Sequence, residues 1–318
     1  MFATCSEGSL WIPITIRLRD PRAAIVQKIF IIGCGDIGRR TATLWQARGA
    51  EVVALARSEA STLQLQQLGI TPVAGDLDQP ASLQQLPLTA ALLYYFAPPP
   101  ADDDTDGRMR ALVMAMTSRT RPNKVLYIST TGVYGYNHGA WVTEDTPLQP
   151  QAARSKRRVD AETVLRAFGK AQGVPVIILR VPGIYGPGRL PIEAIKTRRP
   201  VLDESESGYT NRIHAQDLAR VCVIAAERGR ADTAYNVSDG HPGSMTGYLN
   251  QLADALGEPR PPVVTRAEAQ RVLKPGMLSY LDESRRVDNR RMREELGVEL
   301  LYPTLDIGLR ASLAAERL

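Results

Sequence analysis

Short apolar runs alternate with longer segments of mixed polarity along most of the chain. Six runs have the length of a strand, at residues 28–32, 51–56, 71–74, 90–96, 124–129 and 175–181. Four intervening segments have the length and apolar spacing of helices, near residues 36–48, 59–68, 105–120 and 151–172. Continuous apolar strands separated by helices are typical of a parallel sheet covered on both faces. The pattern predicts an α/β fold of the Rossmann type, with a doubly wound parallel sheet.

Prolines then punctuate the rest of the chain, at positions 191, 200, 242, 261, 262 and 275. This punctuation is typical of short helices and loops, so we expect a smaller C-terminal substrate lobe over residues 183–318. Residues 26–182 form the predicted Rossmann domain, and a strand near 235–238 is predicted to return to its sheet. We expect residues 1–25 to be a disordered extension.

A glycine motif follows the first predicted strand directly, in the order Gly33-Cys34-Gly35-Asp36-Ile37-Gly38. In a G-x-G-x-x-G turn, one glycine makes the tight turn, one lets the backbone approach a pyrophosphate and one packs helix against strand. The motif predicts a dinucleotide site that includes Gly33, Gly35, Asp36, Ile37 and Gly38. A glycine-rich turn in another kind of α/β protein is the alternative.

Arg57 and Ser58 follow the second predicted strand, about 20 residues after the glycine motif, where a Rossmann unit places its ribose-reading residue. An acid there would accept hydrogen bonds from a free 2′-hydroxyl, whereas a guanidinium beside a hydroxyl suits a 2′-phosphate. The nearest acid is Glu59, one residue further on. These residues favour NADP(H) over NAD(H) as the cofactor, unless Arg57 is only a solvated charge at a strand end.

Composition and the lengths of the apolar runs bear on membrane insertion, secretion and the cellular compartment. No apolar run approaches the ~20 residues of a spanning helix, so no membrane segment is predicted. The run Leu10-Trp11-Ile12 ends at Pro13 and does not fit a secretory signal. Cys5, Cys34 and Cys222 lack disulfide or zinc spacing, which favours a reducing compartment. We expect a cytoplasmic protein without a metal.

The net charge of +5 raises the question of nucleic-acid binding. The basic runs at residues 154–158 and 285–293 lack neighbouring aromatic residues for base stacking, and acids interrupt the second run. A small anionic substrate accounts for modest basicity equally well. We therefore predict a small-molecule substrate and no nucleic-acid partner.

Further motifs stand at the ends of the later strands: Asp76-Leu77, Ser129-Thr130-Thr131-Gly132-Val133-Tyr134-Gly135, Ser155-Lys156, the stretch 180–189 and the stretch 211–219. Together with the glycine motif, their order over residues 28–310 resembles the extended short-chain dehydrogenase/reductase family. That family includes NAD(P)-dependent sugar-nucleotide epimerases and dehydratases.

The resemblance implies roles for individual residues. Asp76 and Leu77 would contact the adenine of the cofactor. Thr130, with Thr131 as its competitor, would position a substrate hydroxyl or carbonyl, although a self-satisfied strand-end turn is the alternative. Lys156 would bind the nicotinamide ribose and lower the pKa of a catalytic tyrosine.

The chain departs from the family at that tyrosine. The family places it four residues before the lysine, about one helical turn, and Ala152 stands there. Tyr134, Tyr136 and Tyr185 in neighbouring loops are possible substitutes. The first motif also departs, because extended members commonly have G-x-x-G-x-x-G.

The resemblance further implies that Arg189 and Arg212 clasp a substrate diphosphate. For Arg212, an ion pair with Asp217 in its own segment is the alternative. His214 lies in that segment too, and we interpret it as structural in preference to catalytic.

Two functions remain. The first, which we favour, is an NAD(P)-dependent oxidoreductase, epimerase or dehydratase acting on a small, anionic or nucleotide-sugar-like substrate. The second is a non-catalytic sensor that binds NADP(H). The resemblance also implies a homodimer through helices 105–120 and 151–172, where family dimers resemble one another.

Overall fold

A computed structural model of the protein describes residues 28–101, 103–116, 120–272 and 283–316. The predicted extension over residues 1–25 lies outside the described residues. The strands are β1 Lys28–Ile32, β2 Glu51–Ala56, β3 Thr71–Ala74, β4 Leu92–Tyr95, β5 Lys124–Thr130, β6 Trp141–Val142, β7 Val176–Val181, β8 Gly183–Tyr185, β9 Val201–Leu202, β10 Arg212–His214, β11 Thr233–Asn236, β12 Val263–Val264 and β13 Arg286–Val287. The α-helices are α1 Asp36–Gln46, α2 Glu59–Gln67, α3 Gly107–Ala115, α4 Ala153–Gln172, α5 Ile192–Lys196, α6 Ala215–Arg228, α7 Met245–Leu256, α8 Arg266–Val272, α9 Arg290–Leu296 and α10 Leu305–Glu316.

Seven parallel strands form the main sheet in the order β11-β7-β5-β4-β1-β2-β3. The chain runs outward from β1 through β2 and β3, then continues from β4 on the other side of β1. The carboxyl ends of β1 and β4 therefore flank the point where the strand order reverses, which is where such sheets bind ligands. The predicted doubly wound Rossmann fold is confirmed.

Helices cover both faces of this sheet, and alternate residues of β1 show it. Ile29 and Ile31 belong to one core together with side chains of α1 and α6. Phe30 and Ile32 belong to a second core with side chains of α3 and α4. Because successive side chains of a strand point to opposite faces, a strand buried on both faces is apolar throughout.

The strands and helices begin and end close to the predicted positions, with α3 as the clearest difference. It begins at Gly107, two residues later than predicted, because the side chain of Asp106 caps it by accepting the Met109 N–H at 3.0 Å. The helix was predicted to run to residue 120, which is wrong, because α3 ends at Ala115 and the backbone of Met116 is extended; residues 117–119 lie outside the described part of the chain. No helix in the described part is long and apolar enough to cross a bilayer.

A smaller core lies beyond the sheet, where α5, α7 and α10 pack together. Tyr185, Ile195, Tyr248, Leu252 and Leu309 are buried in it. The chain then returns to the main sheet, where β11 pairs with β7 at the edge. The strand predicted near 235–238 is thus present at Thr233–Asn236.

Candidate functional site

The glycine motif forms a turn between β1 and α1 that is closed on one side and open on the other. Gly33 has φ +83°, and a Cβ there would collide with the backbone nitrogen of Ala97 at the end of β4. A Cβ at Gly38 would lie 3.0 Å from the Gly33 carbonyl oxygen. A Cβ at Gly35 would meet no described atom within 4 Å. The backbone at Gly35 can therefore be approached closely by a ligand.

The first turn of α1 offers its N–H groups to the same open side. Gly35 is the N-cap of this helix, and no side chain among the described residues caps it. Uncapped N–H groups at the positive end of a helix bind anions, and a pyrophosphate is the anion that this kind of turn accommodates. The turn formed by Gly33, Gly35, Asp36, Ile37 and Gly38 fits a dinucleotide.

A cavity of about 210 Å³ lies next to this turn, at the end of β2. Two arginines, Arg39 and Arg57, line it together with Ser58 and Ser61, which cap α2 with their hydroxyls. Cys34 is also in the wall, and burial raises the pKa of its thiol to about 11, so it adds no negative charge at neutral pH. Arg57 and Ser58 were predicted from the sequence, whereas Arg39 was not, and its only signal there is its place directly after Gly38.

The turn after β3 contains the residues predicted to contact adenine. The carboxylate of Asp76 accepts the backbone N–H of Asp78 at 3.0 Å, and Leu77 packs against the second core. Asp78 in turn accepts two hydrogen bonds from Arg108, at 2.7 and 2.6 Å. This turn lies at the carboxyl end of the sheet, as does Arg57. The contact of Asp76 and Leu77 with adenine stays a prediction.

Thr130 ends β5 at the same edge of the sheet. Its Oγ1 accepts the N–H of Gly132 at 3.1 Å, which begins the 3-10 helix Thr131–Tyr134. The hydroxyl proton of Thr130 is not used in this bond and can be donated to a substrate oxygen. Thr131 is buried. Ser155 lies beneath the turn, and its buried hydroxyl has no hydrogen-bond partner among the described residues.

Ala152 and Lys156 are one turn apart at the start of α4. Ala152 is the N-cap, and its carbonyl accepts the Lys156 N–H at 3.0 Å. The Lys156 amine donates to the carboxylate of Asp104 at 2.8 Å, in the loop after β4. Arg157 holds the same loop through the carbonyls of Ala101 and Asp103. The predicted contact of Lys156 with a nicotinamide ribose stays a prediction.

The three tyrosines considered as substitute acids differ in environment. Tyr134 is buried, donates to Asn236 at 2.6 Å and accepts from Arg180 at 3.0 Å. Burial raises the pKa of Tyr134 to about 12, despite the nearby Arg180. Tyr185 is buried in the smaller core, and burial raises its pKa as well. Tyr136 is 40% exposed, so it is the one of the three that lies on the surface.

A buried ion pair supports the strand that presents Thr130. Arg180 on β7 donates to both carboxylate oxygens of Glu162 on α4, at 3.2 and 2.8 Å. The hydroxyl of Ser129 on β5 donates to Glu162 at 2.6 Å. One carboxylate therefore ties β5, β7 and α4 together directly behind Thr130. Ser129 and Arg180 belong to motifs identified in the sequence, but neither they nor Glu162 were predicted to form this ion-pair cluster.

Arg189 and Arg212, predicted to clasp a diphosphate together, have different neighbours. Arg189 donates to the carboxylate of Asp36 at 2.6 Å, beside the glycine turn. Arg212 is buried, donates to the Ser244 carbonyl at 2.8 Å and lies 4.5 Å from the ring centroid of Tyr248. Their role toward a substrate stays a prediction.

The side chains of the segment that contains His214 bind neighbouring backbone groups and cap a helix. Asp217 accepts the N–H groups of Leu301 and Tyr302, at 2.8 and 2.9 Å, and also contacts Arg220. His214 caps α6, and burial lowers its pKa to about 4, so it is neutral at neutral pH. A neutral histidine built into a helix cap agrees with the structural interpretation of His214.

Comparison with known proteins gives consistent matches. The sequence model of the NAD dependent epimerase/dehydratase family matches residues 29–238. A 4-hydroxy-2-methyl-3-oxo-4-farnesyl-3,4-dihydroquinoline-1-oxide ketoreductase from Stigmatella aurantiaca is 27% identical over 71% of this chain and 72% of its own length. A dTDP-glucose 4,6-dehydratase from Streptomyces griseus is also 27% identical, over 59% of this chain and 56% of its own. A solved structure of a functionally unknown conserved protein from Silicibacter pomeroyi superposes with a TM-score of 0.80 at 31% identity, covering 91% of this chain and 99% of that one.

Proposed function

Because the chain belongs to the NAD dependent epimerase/dehydratase family, we propose that it is an oxidoreductase of that family which prefers NADP(H) to NAD(H). Its substrate is a small molecule, anionic or nucleotide-sugar-like, with a carbonyl or hydroxyl at the reacting carbon. The relatives named ketoreductase and dehydratase support chemistry of this kind. A bound nicotinamide supplies the hydride acceptor or donor, and the chain must orient it and manage the substrate proton.

The cavity at the end of β2 carries the proposed cofactor preference. Arg39 and Arg57 bring two positive charges to it, and Ser58 and Ser61 bring two hydroxyls. None of the described residues that line it is acidic. A free 2′-hydroxyl needs an acceptor such as a carboxylate, whereas a 2′-phosphate needs donors and positive charge. The wall of this cavity therefore suits NADP(H).

We assign the substrate side of the reaction to two groups. Thr130 donates its free hydroxyl proton in a hydrogen bond to the reacting oxygen of the substrate. Lys156 lies one helical turn after Ala152. Once its amine is released from Asp104, Lys156 orients the nicotinamide ribose. Since Ala152 cannot transfer a proton, the substrate proton must pass through Thr130, a displaced tyrosine or a substrate hydroxyl.

Titration with NADPH and NADH tests the cofactor preference. We expect NADPH to bind more tightly, and Arg57→Asp to reverse the order, because one charge-assisted contact is worth on the order of 1.5–3 kcal/mol, roughly ten- to hundredfold in affinity. Arg199→Asp is the matched control, since Arg199 is an exposed arginine of the smaller lobe. Equal affinities for the two cofactors in the unaltered protein would contradict the proposal.

A second function, a non-catalytic sensor of NADP(H), is favoured by the state of the two positions that carry the family's catalytic lysine and tyrosine. The family's lysine position is occupied in an ion pair with Asp104, and the tyrosine position holds Ala152. The two functions separate when NADPH absorbance is followed against a panel of nucleotide sugars, small carbonyls and aromatic ketones. Turnover that falls in Thr130→Ala and Lys156→Ala supports the enzyme. Tight NADPH binding without turnover on any member of the panel supports the sensor.

The homodimer and the cytoplasmic location stay predictions.

A further inference from the structure

The loop after β8 reaches from the smaller lobe back to the glycine turn. Arg189 in this loop donates to Oδ2 of Asp36 at 2.6 Å, while Arg40 on α1 donates to Oδ1 at 2.7 Å. Arg40 also donates to the carbonyl of Pro187 at 3.2 Å. Asp36 directly follows Gly35, the residue whose backbone is open to the proposed dinucleotide. One carboxylate beside the turn thus binds two guanidinium groups, one from each part of the molecule.

The Asp36 carboxylate lies at the start of α1, where the proposed dinucleotide would bring the negative charge of its pyrophosphate. Partial burial pushes the pKa of Asp36 up, but hydrogen bonds and charges from Arg189 and Arg40 outweigh it and hold that pKa below its usual value. Asp36 is therefore ionised at neutral pH. Alone it would repel a pyrophosphate at the start of α1, whereas the three side chains together carry a net positive charge.

We propose that Arg189 is a ligand of the dinucleotide pyrophosphate, supplied by the smaller lobe, and that Asp36 holds it beside the glycine turn until the dinucleotide binds. The inference rests on the dinucleotide site of the proposed function. A planar guanidinium binds phosphate through two parallel hydrogen bonds, so exchange of Asp36 for phosphate replaces one charged partner by another.

The surroundings of Arg189 suit such an exchange. Its side chain is 34% exposed, so it has room to turn from Asp36 to a ligand. Arg40 stays bound to Asp36 and neutralises it after the exchange. The loop is anchored separately, since the N–H of Gly188 donates to the Glu316 carboxylate at 2.8 Å. The Arg189 side chain can therefore turn to the pyrophosphate while the backbone of this loop stays in place.

Binding measurements on four variants test this. Calorimetry gives the affinity of Arg189→Ala, Asp36→Asn, the double variant and Arg260→Ala for NADPH and for 2′-AMP, which has the 2′-phosphate and no pyrophosphate. Arg260 is the matched control because it pairs with Asp254 far along the same lobe. We expect Arg189→Ala to weaken NADPH binding about ten- to hundredfold and to leave 2′-AMP binding unchanged. Asp36→Asn should tighten NADPH binding, and it should do so by less in the Arg189→Ala background, where no Arg189 is released.

Opposite outcomes overturn the inference in distinguishable ways. If the ion pair only braces the two lobes, Arg189→Ala and Asp36→Asn will weaken NADPH binding equally and lower the melting temperature equally. An unchanged NADPH affinity in folded Arg189→Ala would overturn the inference and leave the proposed function standing. Failure of the unaltered protein to bind any dinucleotide would overturn the proposed function and this inference with it.

Discussion

The two halves of the candidate site, one proposed to bind the adenosine phosphates and one proposed for the reaction, are built differently. The first consists of a glycine backbone turn and a cavity with Arg39 and Arg57, all positioned by β1, β2 and the helices that follow them. The second depends on individual side chains, and there Lys156 binds Asp104 while Ala152 stands at the tyrosine position. A backbone site follows from the fold, whereas a side-chain site can change while the sheet stays the same.

The strongest way to break the first half is Gly35→Val. The backbone of Gly35 has φ −78°, and a Cβ there meets no described atom within 4 Å, so the folded chain accepts the side chain. The valine would then stand between the backbone and the pyrophosphate. We expect NADPH binding to be abolished with an intact melting transition.

Gly107→Val is the control for this change, because Gly107 also begins a helix and a Cβ there also meets no described atom within 4 Å. It should leave NADPH affinity as it is. Unchanged affinity in Gly35→Val would show that the dinucleotide lies elsewhere.

The half proposed for the reaction can be tested by restoring the tyrosine that it lacks. Ala152→Tyr places a phenol one turn before Lys156, and general acid catalysis contributes about a hundredfold to ten-thousandfold. We expect slow NADPH-dependent reduction of small carbonyls to rise in this variant, and to fall again when Lys156→Ala is added. NADPH absorbance measures both.

Ala152→Phe separates proton transfer from packing, since it adds the same ring without the hydroxyl. If it raises the rate as much as Ala152→Tyr does, the phenol is not acting as an acid and the assignment of this half fails.

A smaller effect is expected from releasing Lys156. Its ion pair with Asp104 is half exposed, and exposed pairs are worth about 0–1 kcal/mol. Asp104→Asn should therefore tighten NADPH binding by up to about fivefold. Asp306→Asn, which breaks the exposed pair with Arg310, is the control and should change nothing. If Lys156→Ala added to Asp104→Asn leaves NADPH affinity unchanged, the lysine does not reach the ribose.

The sequence predicted most of the fold because strands buried on both faces are largely apolar, as in β1, where Lys28 is the one charged residue, and in β7, where Arg180 is. It also located the glycine turn, whose form depends on local backbone geometry. It did not predict the pairs Lys156–Asp104 and Arg189–Asp36, which join residues 52 and 153 positions apart. Local patterns do not state which distant side chains meet, so Thr130, Lys156 and Ala152 were identified from the sequence, whereas these two ion pairs emerged only from the structure.

The pairing of β11 with β7 has a consequence for the protein during its synthesis. When Val181 leaves the ribosome, six strands of the sheet are available, but the outer edge of β7 has no neighbour until Thr233–Asn236 follows. An unpaired apolar edge is a template for aggregation, so the nascent chain is vulnerable over this interval. A recombinant fragment that ends at residue 182 would keep that vulnerability permanently, and a fragment that extends past Asn236 would not.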